Sequence, residues 1–138
     1  MKYFGSLFLI AALLLSGCAS QTARDIGFDK LSLRKAEQAL SNGIHQYEDG
    51  DLKTAQKNLN EALNLGLTFN SDKTTAHKYL AFIYCSTSME RQCRDEFRRA
   101  FEVDPNFKLE PTEMGHPLWG PVFNSVRNEM ASRVKAKP

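Results

Sequence analysis

The chain has 138 residues, of which 42% are hydrophobic and 25% are charged, and its formal net charge is +2. This length is enough for one small domain. Without Lys2, which precedes the first apolar segment, 17 basic side chains face 16 acidic ones. A charge so evenly balanced gives no indication of nucleic-acid binding.

The first segment predicts a signal peptide, not a part of the fold. Lys2 supplies a positive start, and the apolar stretch YFGSLFLIAALLL follows it and ends at small residues. That pattern is typical of a secretory leader, and the stretch is too short to span a bilayer comfortably. The alternative is a buried N-terminal helix, which the abrupt change to polar sequence disfavours.

The end of this leader, LSGC at residues 15–18, resembles the lipobox of bacterial lipoproteins. The resemblance implies that residues 1–17 are removed and that Cys18 becomes the lipidated first residue. Each buried acyl methylene contributes about 0.8 kcal/mol of membrane affinity, so several chains anchor a small domain. Ala19 and Ser20 follow where aspartate favours inner-membrane retention, which implies the outer membrane. Residues 18–30 are then expected to be a tether.

Helical periodicity dominates from residue 31 to residue 103 and predicts two helical hairpins. Gly50-Asp51 is the expected turn in the first hairpin, and Gly66 is the expected stop of its second helix. In the second hairpin, Thr87 and Glu90 are spaced as a capping box for the last helix. Asp104-Pro105 is expected to end that helix, because proline cannot continue one.

The two hairpins match each other, which predicts an internal repeat. Four small or apolar positions recur at a constant offset of 38 residues: Gly43, Ala55, Leu59 and Ala62 correspond to Ala81, Cys93, Phe97 and Ala100. Over residues 36–107 the pattern resembles the tetratricopeptide repeat. That resemblance implies an all-α fold of two such hairpins over residues 31–107. An ordinary antiparallel helical bundle is the alternative.

Residues 108–138 are expected to form a Pro/Gly loop and a C-terminal capping helix. Pro121 can occupy the first turn of this helix, and a stripe of apolar side chains follows it. Trp119 and Phe123 belong to the stripe. Burial against the second hairpin is the favoured interpretation, and an exposed anchor for a partner is the alternative.

Cys85 and Cys93 face an oxidising compartment if the leader is a signal peptide. Each lies on one helix of the second hairpin, so a disulfide between them is favoured. Two separately buried thiols are the alternative, because consecutive helical faces can direct the side chains apart.

The residues do not indicate an enzyme, a metal site or a cofactor. The three histidines are scattered, and no H-x-x-x-H or C-x-x-C motif accompanies them. Phosphate-binding loops and nucleophile elbows are missing from the sequence as well. A Cys93–His77 nucleophile is a minor alternative that requires an exposed thiol of low pKa. The basic run RQCRDEFRR is expected to be a solvated helix face.

The tetratricopeptide family binds peptides or helices in a groove lined by the first helix of each hairpin. Matched residue by residue, the resemblance implies a partner-binding groove here, with apolar side chains as its floor and Lys78 and glutamates at its rim. The matching residues are Leu40, Ile44, Tyr47, Lys78 and Phe82. Such a surface fits an amphipathic or extended peptide. The alternative is that the tether or the C-terminal helix fills the groove.

Together these features predict an outer-membrane lipoprotein that faces the periplasm and binds a partner protein through the groove. Small lipoproteins of this kind are similar to accessory or assembly factors of envelope, pilus or secretion complexes. The expected partners are a protein, bound in the groove, and the membrane, reached through the N-terminal lipid. Formation of a homo-oligomer is a further possibility that the sequence does not decide. One alternative is a structural lipoprotein that self-associates or contacts the cell wall. A second is a thiol-dependent enzyme using Cys85 and Cys93.

Overall fold

The computed structural model describes residues 21–136, and all of the regular structure in that range is helical. The helices are α1 Gln21–Glu48, α2 Leu52–Leu65, α3 Asn70–Ser86, α4 Glu90–Val103, α5 Pro111–Met114 and α6 Gly120–Lys135. The predicted all-α fold of helical hairpins is confirmed. The expected signal peptide and Cys18 lie outside the described residues. Within those residues, no helix has both the length and the apolar composition that crossing a membrane requires.

The chain divides into two compact units, Met1–Ser32 and Leu33–Pro138. In the first unit, residues 21–32 are helical, so the helix begins within the segment expected to be a tether. That stretch has no proline, and its one glycine, Gly27, costs a helix only about 1 kcal/mol, so nothing in it forces a break. The second unit contains the hairpins and the core.

The first hairpin, α1 and α2, turns where the sequence predicts. Gly50 has a φ of +83°, a conformation that glycine adopts without strain. Asp51 then caps α2, its carboxylate accepting a hydrogen bond of 3.1 Å from the backbone N–H of Thr54. Gly66 ends α2 with a φ of +90° and donates its N–H to the carbonyl of Leu63.

The second hairpin, α3 and α4, is closed by a disulfide between Cys85 and Cys93, whose Cα atoms are 5.2 Å apart. The favoured pairing is therefore confirmed. The capping box predicted from Thr87 and Glu90 is wrong. Thr87 instead caps the end of α3, donating its hydroxyl to the carbonyl of Ile83 at 2.9 Å. The residue before α4 is Met89, which has no side chain able to cap it.

Two apolar clusters form the core. The first lies between α1, α2 and α3 and contains small residues with Leu40, Leu59 and Leu80. The second lies between α3, α4 and α6 and is rich in aromatic rings, with Phe97 and Phe123 fully enclosed. Because α6 packs on α4, the predicted C-terminal capping helix is confirmed. A hydrogen bond of 3.1 Å from Gln56 to the Tyr84 hydroxyl joins the two hairpins.

Candidate partner-binding site

The residues predicted to form the groove lie on α1 and α3, and aromatic side chains join the two helices. The rings of Tyr47 and Phe82 lie with centroids 6.3 Å apart. Tyr79 contacts both, edge-on to Tyr47 at 5.1 Å and to Phe82 at 6.0 Å. The two parts of the predicted groove therefore belong to one face of the molecule.

The chain itself covers the α3 part of this face. The segment between α4 and α6, residues 107–119, is called the covering segment below. Its last residue, Trp119, stacks on Phe82 at 4.3 Å and donates its indole N–H to the Glu113 carbonyl at 2.9 Å. His116 stacks in turn on Trp119 at 3.3 Å. Phe82 is left only 2% exposed, so its assignment to an open groove is wrong.

Lys78 is held by the same segment. Its ammonium group donates to the Glu113 carboxylate at 2.7 Å, and both side chains are largely enclosed, at 16% and 20% exposure. The second oxygen of Glu113 accepts the backbone N–H of Glu110 at 3.0 Å, which fixes the carboxylate at the start of α5. The prediction of Lys78 as a free cation at the groove rim is therefore corrected.

The alternative of an exposed anchor at Trp119 and Phe123 is also wrong, because both side chains are buried. Phe123 packs among the rings of Phe97, Phe101 and Phe107, with centroid distances between 5.4 and 5.6 Å. These contacts confirm the favoured interpretation, which is packing against the second hairpin.

The α1 part of the face remains an open groove of about 590 Å³. Ile44 contributes a partly buried apolar side chain from α1, and Phe69 contributes a second one from the residue before α3. Leu40 lies beneath them and is only 8% exposed, so its prediction as a partner-contacting residue is corrected: it belongs to the core. Phe69 is 61% exposed, which is unusual for a ring of this size. This part of the molecule is called the α1–α3 groove below.

Carboxylates surround this floor. Glu37 and Glu48 lie at the two ends of the groove on α1, and Asp72 lies on α3. His45 also lines the groove and pairs with the exposed carboxylate of Asp49 at 2.8 Å. Among the residues that the structure describes, no lysine or arginine lines the groove. The α1–α3 groove is therefore apolar at its floor and acidic around it.

Two tyrosines, Tyr47 on α1 and Tyr79 on α3, have raised pKa values. Burial raises the pKa of Tyr47, with a smaller contribution from Tyr79. Burial also raises the pKa of Tyr79, and the negative charges of Glu48 and Glu113 add to the effect. Both hydroxyls therefore stay neutral at physiological pH.

The cysteine and histidine considered for catalysis are engaged in other contacts among the described residues. Cys93 is held in the disulfide, so it has no thiolate to pair with His77. His77 instead contacts the buried Glu96 at 2.7 Å, and Arg99 binds the other oxygen of that carboxylate. Among the described residues, no group of three or more histidine, cysteine or carboxylate side chains is arranged to hold a metal ion.

The basic run on α4 is only partly a solvated face. Arg98 pairs with Asp95, as expected from a neighbouring acidic residue on the helix. Arg94 and Arg98 also reach Glu129 on α6, which Arg133 contacts from the following turn. These arginines therefore hold α6 against α4, a role that sequence spacing alone did not indicate.

Sequence reasoning missed Phe69 and Asp72 because neither position corresponds to a groove position that the family resemblance supplied. An isolated phenylalanine among polar residues immediately before a helix was the signal that could have identified the first. Comparisons with known proteins add no assignment, since no family model, no curated protein and no solved structure matches the chain.

Proposed function

We propose that the protein is a lipid-anchored scaffold of the bacterial envelope that binds a partner protein in the α1–α3 groove. In this proposal the chain is a tetratricopeptide-like lipoprotein, attached through Cys18 to the outer membrane and facing the periplasm. Its role is that of an accessory or assembly factor of an envelope, pilus or secretion complex, and it catalyses no reaction.

The observation that carries the proposal is the exposed Phe69 ring in the open groove. The fold leaves Phe69 61% exposed beside the partly buried Ile44, while the equivalent surface at Phe82 is covered by the chain itself. Apolar surface framed by polar residues is typical of protein interaction sites. The LSGC motif and the disulfide support an extracytoplasmic location, because disulfides persist in oxidising compartments.

The groove is tested by affinity purification of the tagged protein from crosslinked envelopes. The double variant Ile44→Asp, Phe69→Ser places polar groups on the floor. Phe69 is exposed and Ile44 is partly buried, so the Tm of the variant is measured beside that of wild type. We expect a complex with wild type that the variant loses while its helical circular dichroism is unchanged. Leu118→Ser, Val134→Ser is the matched control, since both residues are exposed outside the groove. Equal recovery from all three proteins contradicts the proposal.

The anchor is tested separately by cell fractionation and by metabolic labelling with a palmitate analogue. We expect wild type to carry label and to sediment with the outer membrane. Cys18→Ala should carry no label and should leave that fraction. A labelled Cys18→Ala protein, or an unlabelled wild type, contradicts the lipid-anchor assignment.

A further inference from the structure

Among the described residues, the carboxylates are the charged groups of the α1–α3 groove lining, apart from the imidazole of His45, although the whole chain is slightly basic. Three carboxylates, Glu37, Glu48 and Asp72, line the groove, while the formal charge of the chain is +2. The nearest arginine along α1 is Arg34, one turn before Glu37 and outside the lining. The acidic groove therefore disfavours a negatively charged ligand, because bringing like charges together costs several kcal/mol.

One cation of the same face is neutralised within the chain. Lys78 is held by Glu113 at 2.7 Å in a mostly enclosed ion pair. It is therefore not free to attract an acidic ligand. The carboxylates of Glu48 and Glu113 both raise the pKa of Tyr79, so their negative field extends over the surface between them.

The dimensions of the groove indicate the length of its occupant. The lining on α1 runs from Glu37 to Glu48, which is about 16 Å along a helix axis. A helical segment of about eleven residues covers that length. Phe69 and the partly exposed Ile44 offer apolar contacts between the acidic ends, which match the apolar face of an amphipathic helix.

We infer that the α1–α3 groove takes a cationic amphipathic helix of a partner protein, with apolar side chains on Ile44 and Phe69 and lysines or arginines at Glu37, Glu48 and Asp72. This inference rests on the proposed function and adds the chemistry of the partner. It excludes an acidic peptide as the natural occupant.

The test measures binding of two synthetic peptides by fluorescence anisotropy. Both peptides carry leucines at positions i, i+3, i+4 and i+7, and the remaining positions are lysine in one and glutamate in its twin. The protein is the full lipidated chain in nanodiscs of neutral phosphatidylcholine, and the signal from empty discs is subtracted. We expect the lysine peptide to bind, with an affinity that falls as salt is raised, and the glutamate peptide not to bind.

Two variants of equal net charge decide where the lysine peptide binds. Glu37→Lys, Asp72→Lys reverses two charges at the groove, and we expect it to weaken binding about tenfold or more. Glu61→Lys, Glu102→Lys makes the same change in charge at two exposed positions outside the groove lining, and we expect an effect within about twofold. Equal weakening by the two variants, or equal binding of both peptides, overturns the inference.

Other occupants give different results. In one result, Ile44→Asp, Phe69→Ser loses its envelope partners but wild type does not bind the lysine peptide. This result supports the proposed function and overturns the inferred positive charge of the partner. In another result, the molecular mass of wild type in solution rises with protein concentration, while the variant stays monomeric. This result identifies a second copy of the chain as the occupant of the groove and also overturns the inference. Failure of the floor variant to lose any partner removes the proposed function itself.

Discussion

Gly43 illustrates how one residue determines the approach of two helices. A Cβ atom at this position would lie 2.8 Å from Cγ of Leu59 and 3.1 Å from its backbone nitrogen. Leu59 is fully buried, so its side chain has little room to move. The small residues that repeat along the sequence are therefore needed for close packing of α1 on α2.

We expect Gly43→Val to destabilise the protein by about 2 kcal/mol, the usual cost of overpacking a core. The free energy of unfolding, measured by urea titration, checks this value. Gly115→Val is the matched control, because a Cβ at Gly115 meets nothing within 4 Å and its φ is −80°. A loss at Gly43 no larger than the loss at Gly115 contradicts the packing at this site.

Glu129 is a second single residue that contributes to the stability of the fold, and its contribution depends on pH. Hydrogen bonds from Arg98, and the charges of the surrounding arginines, lower the pKa of this carboxyl below its usual range. When folding lowers the pKa of a carboxyl, its ionised form stabilises the folded state. This stabilisation is complete at pH values above the pKa of the unfolded state, and it is lost as the pH falls through the pKa of the folded state. The ion-pair network between α4 and α6 is therefore expected to weaken in acid.

We expect Glu129→Gln to lower the Tm at pH 7 by a few degrees and to have less effect as the pH is lowered and the wild-type carboxyl becomes protonated. Thermal unfolding of both proteins at a series of pH values from neutral to acid is the measurement. Glu102→Gln, at an exposed position of α4, is the control. A constant difference in Tm between wild type and Glu129→Gln at all pH values rules out the role given to the carboxylate.

At the scale of elements, most helices were predictable because their signals are local. Gly50, Asp51 and Gly66 act within a few residues of the turns that they form, and the apolar period identifies the buried face. The start of α4 was predicted wrongly because Thr87 lies too early and bonds back to α3. The covering segment could not be predicted from periodicity, since the contact of Trp119 with Phe82 joins residues far apart in the chain.

The disulfide belongs to the second hairpin as an element. Cys85 and Cys93 are separated by 8 residues, and closing such a short loop stabilises by roughly 2.5 kcal/mol on the chain-entropy model. We expect the double variant Cys85→Ala, Cys93→Ala to unfold at a Tm several degrees lower than oxidised wild type. Adding a reductant should lower the Tm of wild type and leave that of the variant unchanged. Identical Tm values with and without reductant contradict a stabilising disulfide.

The covering segment is expected to depend on Trp119. Trp119→Ala removes the stack on Phe82 and the hydrogen bond to Glu113, and we expect a loss of about 3–5 kcal/mol in unfolding free energy. Leu118→Ala, at the exposed neighbouring residue, should change stability by less than about 0.5 kcal/mol. Chemical unfolding monitored by circular dichroism compares the two. Similar small losses for both variants indicate that the covering segment contributes little to the fold.

At the scale of the whole molecule, the α1–α3 groove stays open, while the covering segment closes the neighbouring surface at Phe82. The family resemblance correctly brought α1 and α3 residues to one face, but it could not distinguish Ile44, which stays accessible, from Phe82, which does not. That difference arises from the covering segment, whose position depends on the packing of α5 and α6. Partner binding is therefore proposed for the α1 part of the face alone.

Site-specific photo-crosslinking in living cells tests this claim most directly. A photoreactive amino acid replaces Phe69 in the groove or, for comparison, Val134 on α6, which is 71% exposed. The proposal predicts a discrete adduct with another protein from position 69, lost when Ile44→Asp is added, and no such adduct from position 134. The same adducts from both positions, or an adduct at 69 containing only a second copy of this chain, would contradict it.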